Sequence, residues 1–140
     1  MIYTEINNFK LPDSFDLNQY ELKKNYKFIV ELDIFGVESW KVQKITLPKY
    51  IDFMWQDIKI DLIDTNTSST TSQLYNFIKN NKLKELNFNI KYVDGTGKEI
   101  SMWTILFKNF SIDFGILDYG NDKLLMPSIT IEPLDCILKY

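Results

Sequence analysis

With 140 residues and a formal charge of −3, the chain has the length of one domain and no surplus of cations with which to hold a polyanion. It contains no His, no Arg and no Ala, and all 16 of its basic residues are Lys. Those absences exclude His-based nucleophilic triads and His metal clusters, remove the guanidinium fork that grips phosphate, and argue against a helical bundle.

Hydrophobic residues make up 45% of the chain and aromatic residues 15%. That is enough to bury one core without disulfides, and the aromatic and β-branched bias favours strands. Cys136 stands alone, so neither an intrachain disulfide nor a thiolate metal site can form. The chain does not open on a basic segment followed by an apolar run, and no run approaches the roughly 18 apolar residues of a membrane span. A soluble protein made in a reducing cytosol, without membrane insertion, is expected.

Residues 1–25 are polar and poorly periodic, with a turn at Leu11-Pro12-Asp13-Ser14; they are expected to form an N-terminal arm that frays or docks on a neighbouring subunit. Tyr26–Phe35 reads as a strand with Phe28, Val30, Leu32 and Ile34 on one face. Trp40–Leu47 reads as a second strand with Trp40 and Val42 inward, ended by Pro48. Lys49–Gln56 packs Tyr50, Ile51, Phe53, Met54 and Trp55 into a segment without clean alternation. It is either an irregular cover for the core or an apolar patch for a partner subunit. Pro48, Tyr50, Phe53, Met54 and Trp55 are therefore the candidate subunit interface.

Asp57–Ile63 alternates, with Ile58, Ile60 and Leu62 against Asp57, Lys59 and Asp61. A small polar loop follows, and Thr71 or Ser72 can cap a short amphipathic helix over Gln73–Asn81, with Leu74, Phe77 and Ile78 on one face. A helix of about ten residues is too short to stand alone in water, so it must lean on a sheet. Leu86–Tyr92 alternates again, with Asn87, Asn89 and Lys91 on the polar face. The Asp94-Gly95-Thr96-Gly97 turn then signals a hairpin into Lys98–Phe107. The run Asn109–Tyr119 and a last strand beginning at Met126 close the chain, with Pro133 breaking the alternation ahead of Leu134, Cys136 and Leu138.

The count is six to eight strands and one short flanking helix. The expected fold is all-β, mainly antiparallel, a sandwich or barrel formed by one domain over residues 1–140. Catalytic readings find little support. Asp57 and Asp61 share a strand face, as carboxylates on any half-exposed strand do, and Asp113 and Asp118 flank an apolar turn. Gly95-x-Gly97-Lys98 lies between strands and opens no helix, so it fails the context of a phosphate loop. The acids around Asp118–Asp122 lack calcium-loop spacing. Cys136 reads as a buried small hydrophobe, and Trp40 and Trp103 as core aromatics. No catalytic residue, cofactor or metal is expected.

The order of elements carries a resemblance: the strand Leu86–Tyr92, the Asp94–Gly97 turn, a strand bearing Trp103, then Asn109–Tyr119 (NFSIDFGILDY) and Ser128–Leu138 (SITIEPLDCIL). It resembles the C-terminal half of the tail tube proteins of contractile-tailed bacteriophages, over about Phe28–Leu47 and Leu86–Leu138. The same family takes in tube-initiating baseplate proteins and type VI secretion tube proteins. The resemblance implies a small β-barrel with a side helix. It implies homo-oligomeric, hexameric rings stacked into the inner tube of a contractile tail, and a virion location after synthesis in the host cytoplasm. Its partners would be the tail sheath, tape measure and baseplate proteins, and DNA would pass through without tight binding. The polar strand faces, Asp57, Lys59 and Asp61 with Asn87, Asn89 and Lys91, are then the candidate lumen lining. A baseplate tube initiator, a carbohydrate-binding β-sandwich and a small carboxylate hydrolase remain open alternatives at this point.

Overall fold

The computed structural model describes residues 3–6, 9–12, 27–81, 84–117, 119–120 and 125–140; for 3–6 and 9–12 the backbone path alone is described. Among the described residues, ten strands, one α-helix and two 3-10 turns follow one another. β1 (Tyr3–Ile6) and β2 (Phe9–Pro12) pair antiparallel as a hairpin of their own. The expected turn at Leu11-Pro12 is thus strand, because Leu11 and Pro12 pair with Thr4 and Tyr3. The lead-in over Tyr20–Asn25 lies outside the described residues.

The body is one six-stranded antiparallel sheet in the order β3-β8-β9-β10-β7-β4. Its strands are β3 (Phe28–Glu31), β4 (Val42–Ile45), β7 (Ile58–Leu62), β8 (Leu86–Val93), β9 (Glu99–Asp113) and β10 (Ser128–Lys139). β5 (Tyr50–Ile51) and β6 (Met54–Trp55) form a small hairpin beside it. β3 and β4 are consecutive in the chain yet lie at opposite edges of the sheet. A flat six-stranded sheet would hold those edges roughly 24 Å apart. The connection between them is tight, with 3-10 turns at Asp33–Phe35 and Ser39–Lys41. The sheet therefore curls until its edges approach, which gives a nearly closed barrel.

Alternation decides which face fills that barrel. Ile58, Ile60 and Leu62 of β7, Leu86, Phe88 and Ile90 of β8, Ile105 and Phe107 of β9, and Ile129 and Ile131 of β10 are all buried in one cluster. Phe107 lies at its centre, stacked on Phe35 and edge-on to Phe88 and Phe110. α1 (Thr70–Asn80) closes over this cluster through Leu74 and Phe77. The outward positions of β7 and β8 are mostly polar, whereas Ile29 of β3, Ile100 of β9 and Leu134, Ile137 and Leu138 of β10 are exposed apolar residues.

Several expectations need correction. The chain leaves the extended conformation at Asp33, so Phe35 is buried and Ile34 is 36% exposed. Trp40 sits in a 3-10 turn and is 60% exposed, while its neighbour Lys41 points inward. The helix starts at Thr70, capped by Ser69, and Ile78 on its last turn is 43% exposed. Asn109–Asp113 is not a separate element but the continuation of β9 over 15 residues. Pro133 does break the ladder, with register shifts on both sides of it, and Cys136 returns to the core while Leu134 and Leu138 stay exposed.

Candidate assembly surfaces

The apolar segment after Pro48 is an ordered hairpin. Tyr50 pairs with Trp55 and Ile51 with Met54, leaving Asp52 and Phe53 as the two-residue loop. Such a loop needs positive φ at both positions, which is why Asn-Gly is the usual choice. Here Asp52 has φ 52° and Phe53 φ 63°. A bulky residue held there costs on the order of 1–3 kcal/mol. The strain is sustained by bracing. The Gln56 amide donates to the Lys49 carbonyl at 2.8 Å, and the Gln56 side chain donates to the Met54 carbonyl at 3.2 Å. Trp55 sits edge-on to Tyr50 and to Trp103 of β9, at 4.9 and 6.2 Å between ring centres. The result presents Phe53 at 91% exposure, with Tyr50 and Met54 also exposed and Pro48 and Trp55 half-buried.

Next to this hairpin, where the barrel edges approach without pairing, lies an apolar cavity of about 350 Å³. Phe28 of β3, Ile45 of β4, Leu47, Ile90 and Tyr92 of β8, and Ser101 and Trp103 of β9 line it. Beyond β9, Ile116 and Leu117, each 87% exposed, and Tyr119 form a second apolar exposure.

The candidate lumen residues lie on the outer face of the sheet, in two groups. Asp57, Lys59 and Asp61 belong to β7 or its start, with Lys59 3.9 Å from Asp61. Asn87, Asn89 and Lys91 belong to β8. Register places Lys59 beside Thr130 and Ser111, and Asn89 beside Thr104. The groups are therefore seven residues apart along β9, roughly 20 Å, and do not form one patch. The β8 group is a network. Lys91 Nζ lies 2.8 Å from Glu99 and 3.4 Å from Glu31, Asn89 donates to Glu31 at 3.2 Å, and Thr104 donates to Asn89 at 2.9 Å. The hydrogen bond with Glu99, then the charge of Glu31, raises the Lys91 ammonium above its ordinary pKa, and the same bond lowers Glu99.

Sequence reasoning missed one polar centre. Lys41 is fully buried, and its ammonium donates to Ser68 Oγ at 3.0 Å, Gln73 Oε1 at 2.8 Å and the Ser68 carbonyl, and pairs with Glu38 at 3.0 Å. Its bond to Glu38 holds that carboxyl down at about 2. Every partner is a strong acceptor, so the charge is compensated. The knot ties the 3-10 turn before β4 to the loop and first turn of α1. Its geometry is structural: the cluster faces no cavity described above.

Cys136 is buried, and burial, followed by the charge of Asp135, pushes its thiol up to about 11. A thiol held protonated is a poor nucleophile. Among the described residues no group of three or more acidic or Cys side chains is placed to hold a metal, and no helix is long and apolar enough to cross a membrane.

No protein-family model matches the sequence, and no curated protein matches it significantly. Solved structures do match in fold. A chain in the cryo-EM structure of the PVC sheath/tube terminator of an extracellular contractile injection system, in its extended state, superposes with a TM-score of 0.61 at 15% identity, over 86% of this chain and 98% of that one. A chain of the PVC sheath–tube complex in the extended state gives 0.63 at 14% identity, over 90% and 99%. A chain of the anti-feeding prophage cap, a tube-terminating cap, gives 0.62 at 14% identity, over 91% and 97%. The barrel with its single helix is thus a fold of the contractile tail tube type.

Proposed function

We propose that the protein is a structural subunit of a contractile-tail assembly. It forms hexameric rings that stack into the inner tube, within a sheath and against tape measure and baseplate proteins. The observation that carries this reading is the fold likeness to chains of sheath–tube and tube-terminating assemblies, which spans 97–99% of those chains. For such a barrel, a role in assembly would be carried by its surfaces.

Those surfaces support assembly. The strained hairpin offers Pro48, Tyr50, Phe53, Met54 and Trp55 to a neighbouring subunit. Among the described residues the ladder between β7 and β10 stops at the Ile58–Ile131 pair, leaving the rest of β10 unpaired on that side, while β6 lies against β10 without joining the ladder. A neighbour's strand placed there would continue the sheet around a ring and remove an edge that otherwise invites aggregation. The outer face carries Asp57, Lys59 and Asp61 at one end and Asn87, Asn89 and Lys91 at the other. As the lumen wall it would be nearly neutral, because Lys59 and Lys91 lie beside acids, and DNA would slide along it in the virion without being held. No step of this function needs an enzyme's chemistry.

Two of the three neighbours come from tube-terminating assemblies, which favours one second reading: a subunit that ends the tube instead of extending it. Negative-stain microscopy of the purified protein separates the cases. Long hollow tubes support the tube subunit, isolated rings support the terminal one, and a protein that stays monomeric at every concentration refutes both.

A further inference from the structure

We infer that subunits join by a knob-in-hole contact in which Phe53 of one copy enters the apolar cavity between β3 and β4 of another copy. The inference rests on the assembly reading above and names the residues of one of its contacts.

The knob is set apart from the other phenylalanines. All other phenylalanines with described side chains are buried or half-buried, whereas Phe53 is 91% exposed. It is held there at positive φ by a two-residue turn, Asp52–Phe53, that glycine would fill without strain. A backbone strained to present an aromatic ring to water points to a partner that removes the ring from water.

The hole fits that ring. An apolar cavity of about 150 Å³ is enough for benzene, so about 350 Å³ takes a phenyl group with room for the adjoining Met54. Its walls are Phe28, Ile45, Leu47, Ile90 and Trp103, with the polar atoms of Ser101 and Tyr92 among them. The hairpin cannot fill the hole itself. Trp55 at the base of the hairpin is packed on Trp103, a wall of the cavity, so the hairpin and the hole are fixed relative to each other and the tip stays outside. A second copy supplies both halves of the fit. Because knob and hole are different surfaces, the contact can run head to tail, and repeated contacts of that kind build rings or stacks.

The test is complementation between two variants of the full chain. Phe53→Gly removes the knob and relieves the turn. Leu47→Lys places a charge at the rim, at a residue already 54% exposed. Circular dichroism and thermal melting establish that both fold, and sedimentation velocity reads assembly. Each variant alone is expected to stay monomeric at concentrations where the wild type assembles. Mixed in equal amounts, they are expected to form a one-to-one heterodimer, since the Leu47→Lys copy keeps its knob and the Phe53→Gly copy keeps its hole. A mixture that remains monomeric, or a Phe53→Gly protein that assembles like the wild type, overturns the contact while leaving the tube reading standing. A wild type that never assembles overturns both. An apolar small molecule carried in the cavity of the purified wild type, seen by native mass spectrometry, also overturns the contact.

Discussion

Lys41 shows how one residue can escape a pattern-based reading. Alternation assigns position 40 to the core, and an apolar Trp beside a Lys reinforces the choice, yet the lysine is buried and the tryptophan is not. What decides is a set of acceptors that come from 27 to 32 residues away, Ser68 and Gln73, together with Glu38. No local signal announces them. Lys41→Met is expected to lower the melting temperature by more than substitution of an exposed lysine such as Lys59, because it leaves the Ser68 carbonyl and Gln73 without their donor. Glu38 adds a pH signature. Its pKa falls from 4.5 to about 2 on folding, so its contribution is complete above about pH 4.5 and is lost as pH falls toward 2. Chemical denaturation between pH 6 and 2.5 should show this loss, and Glu38→Gln should flatten that part of the profile. An unchanged profile would mean that the Lys41 partners other than Glu38 carry the knot. Phe53 is the opposite case: its presence in an apolar run was legible, but its backbone strain was not. Phe53→Gly should raise the monomer's stability by about 1 kcal/mol, roughly 2–4 °C in melting temperature.

At the scale of elements, period-two alternation located β7 and β8 well, because each has one face in a single core, and the hairpin turn after β8 located the first half of β9. It failed where another constraint took over. The β5–β6 hairpin carries Asp-Phe where a hairpin signal would be Asn-Gly, so its turn could not be read from residue type. The β8–β9 turn was legible in Asp94-Gly95-Thr96-Gly97, although the positive φ of 86° falls on Gly97. Asp94 organises that loop by accepting from Thr96 and Lys98. The start of α1 was placed three residues late, because its anchor is remote from the helix. Burial pushes the Asp64 carboxyl up, but hydrogen bonds from Thr71, Thr70 and Thr65 outweigh it and hold it below its ordinary pKa. Ser69 accepts from the Ser72 amide at 3.1 Å. Ser69→Ala is expected to cost about 1 kcal/mol. Asp64→Ala should cost more, since it leaves several donors unpaired; equal melting temperatures for the two variants would contradict that ranking.

At the scale of the whole molecule, composition fixed the class of protein more firmly than any motif, and the barrel closure came from topology that no local pattern contains. Composition also yields a prediction about DNA. Tight binding requires several clustered cations, each releasing counterions from phosphate. The chain carries −3 overall and no arginine. Its described lysines on the outer face are scattered: Lys44 and Lys108 are exposed on two different strands, β4 and β9, and two others lie by acids. Lys91 is held between Glu31 and Glu99, and Lys59 lies near Asp61. Lys41 is buried in its own acceptors. A duplex meeting this face would have to pull the Lys59 and Lys91 ammonium groups from carboxylates, and the acids left behind would repel the phosphates. The expected result is no submicromolar binding of a fluorescently labelled duplex by anisotropy, even at low salt, where electrostatic attraction is least screened. Replacing Glu31 and Glu99 with Gln should release Lys91 and introduce a weak affinity that declines as salt is raised. Submicromolar, salt-sensitive binding by the wild type would instead require a cationic surface that these ion pairs do not leave available, and would refute a passive lumen wall.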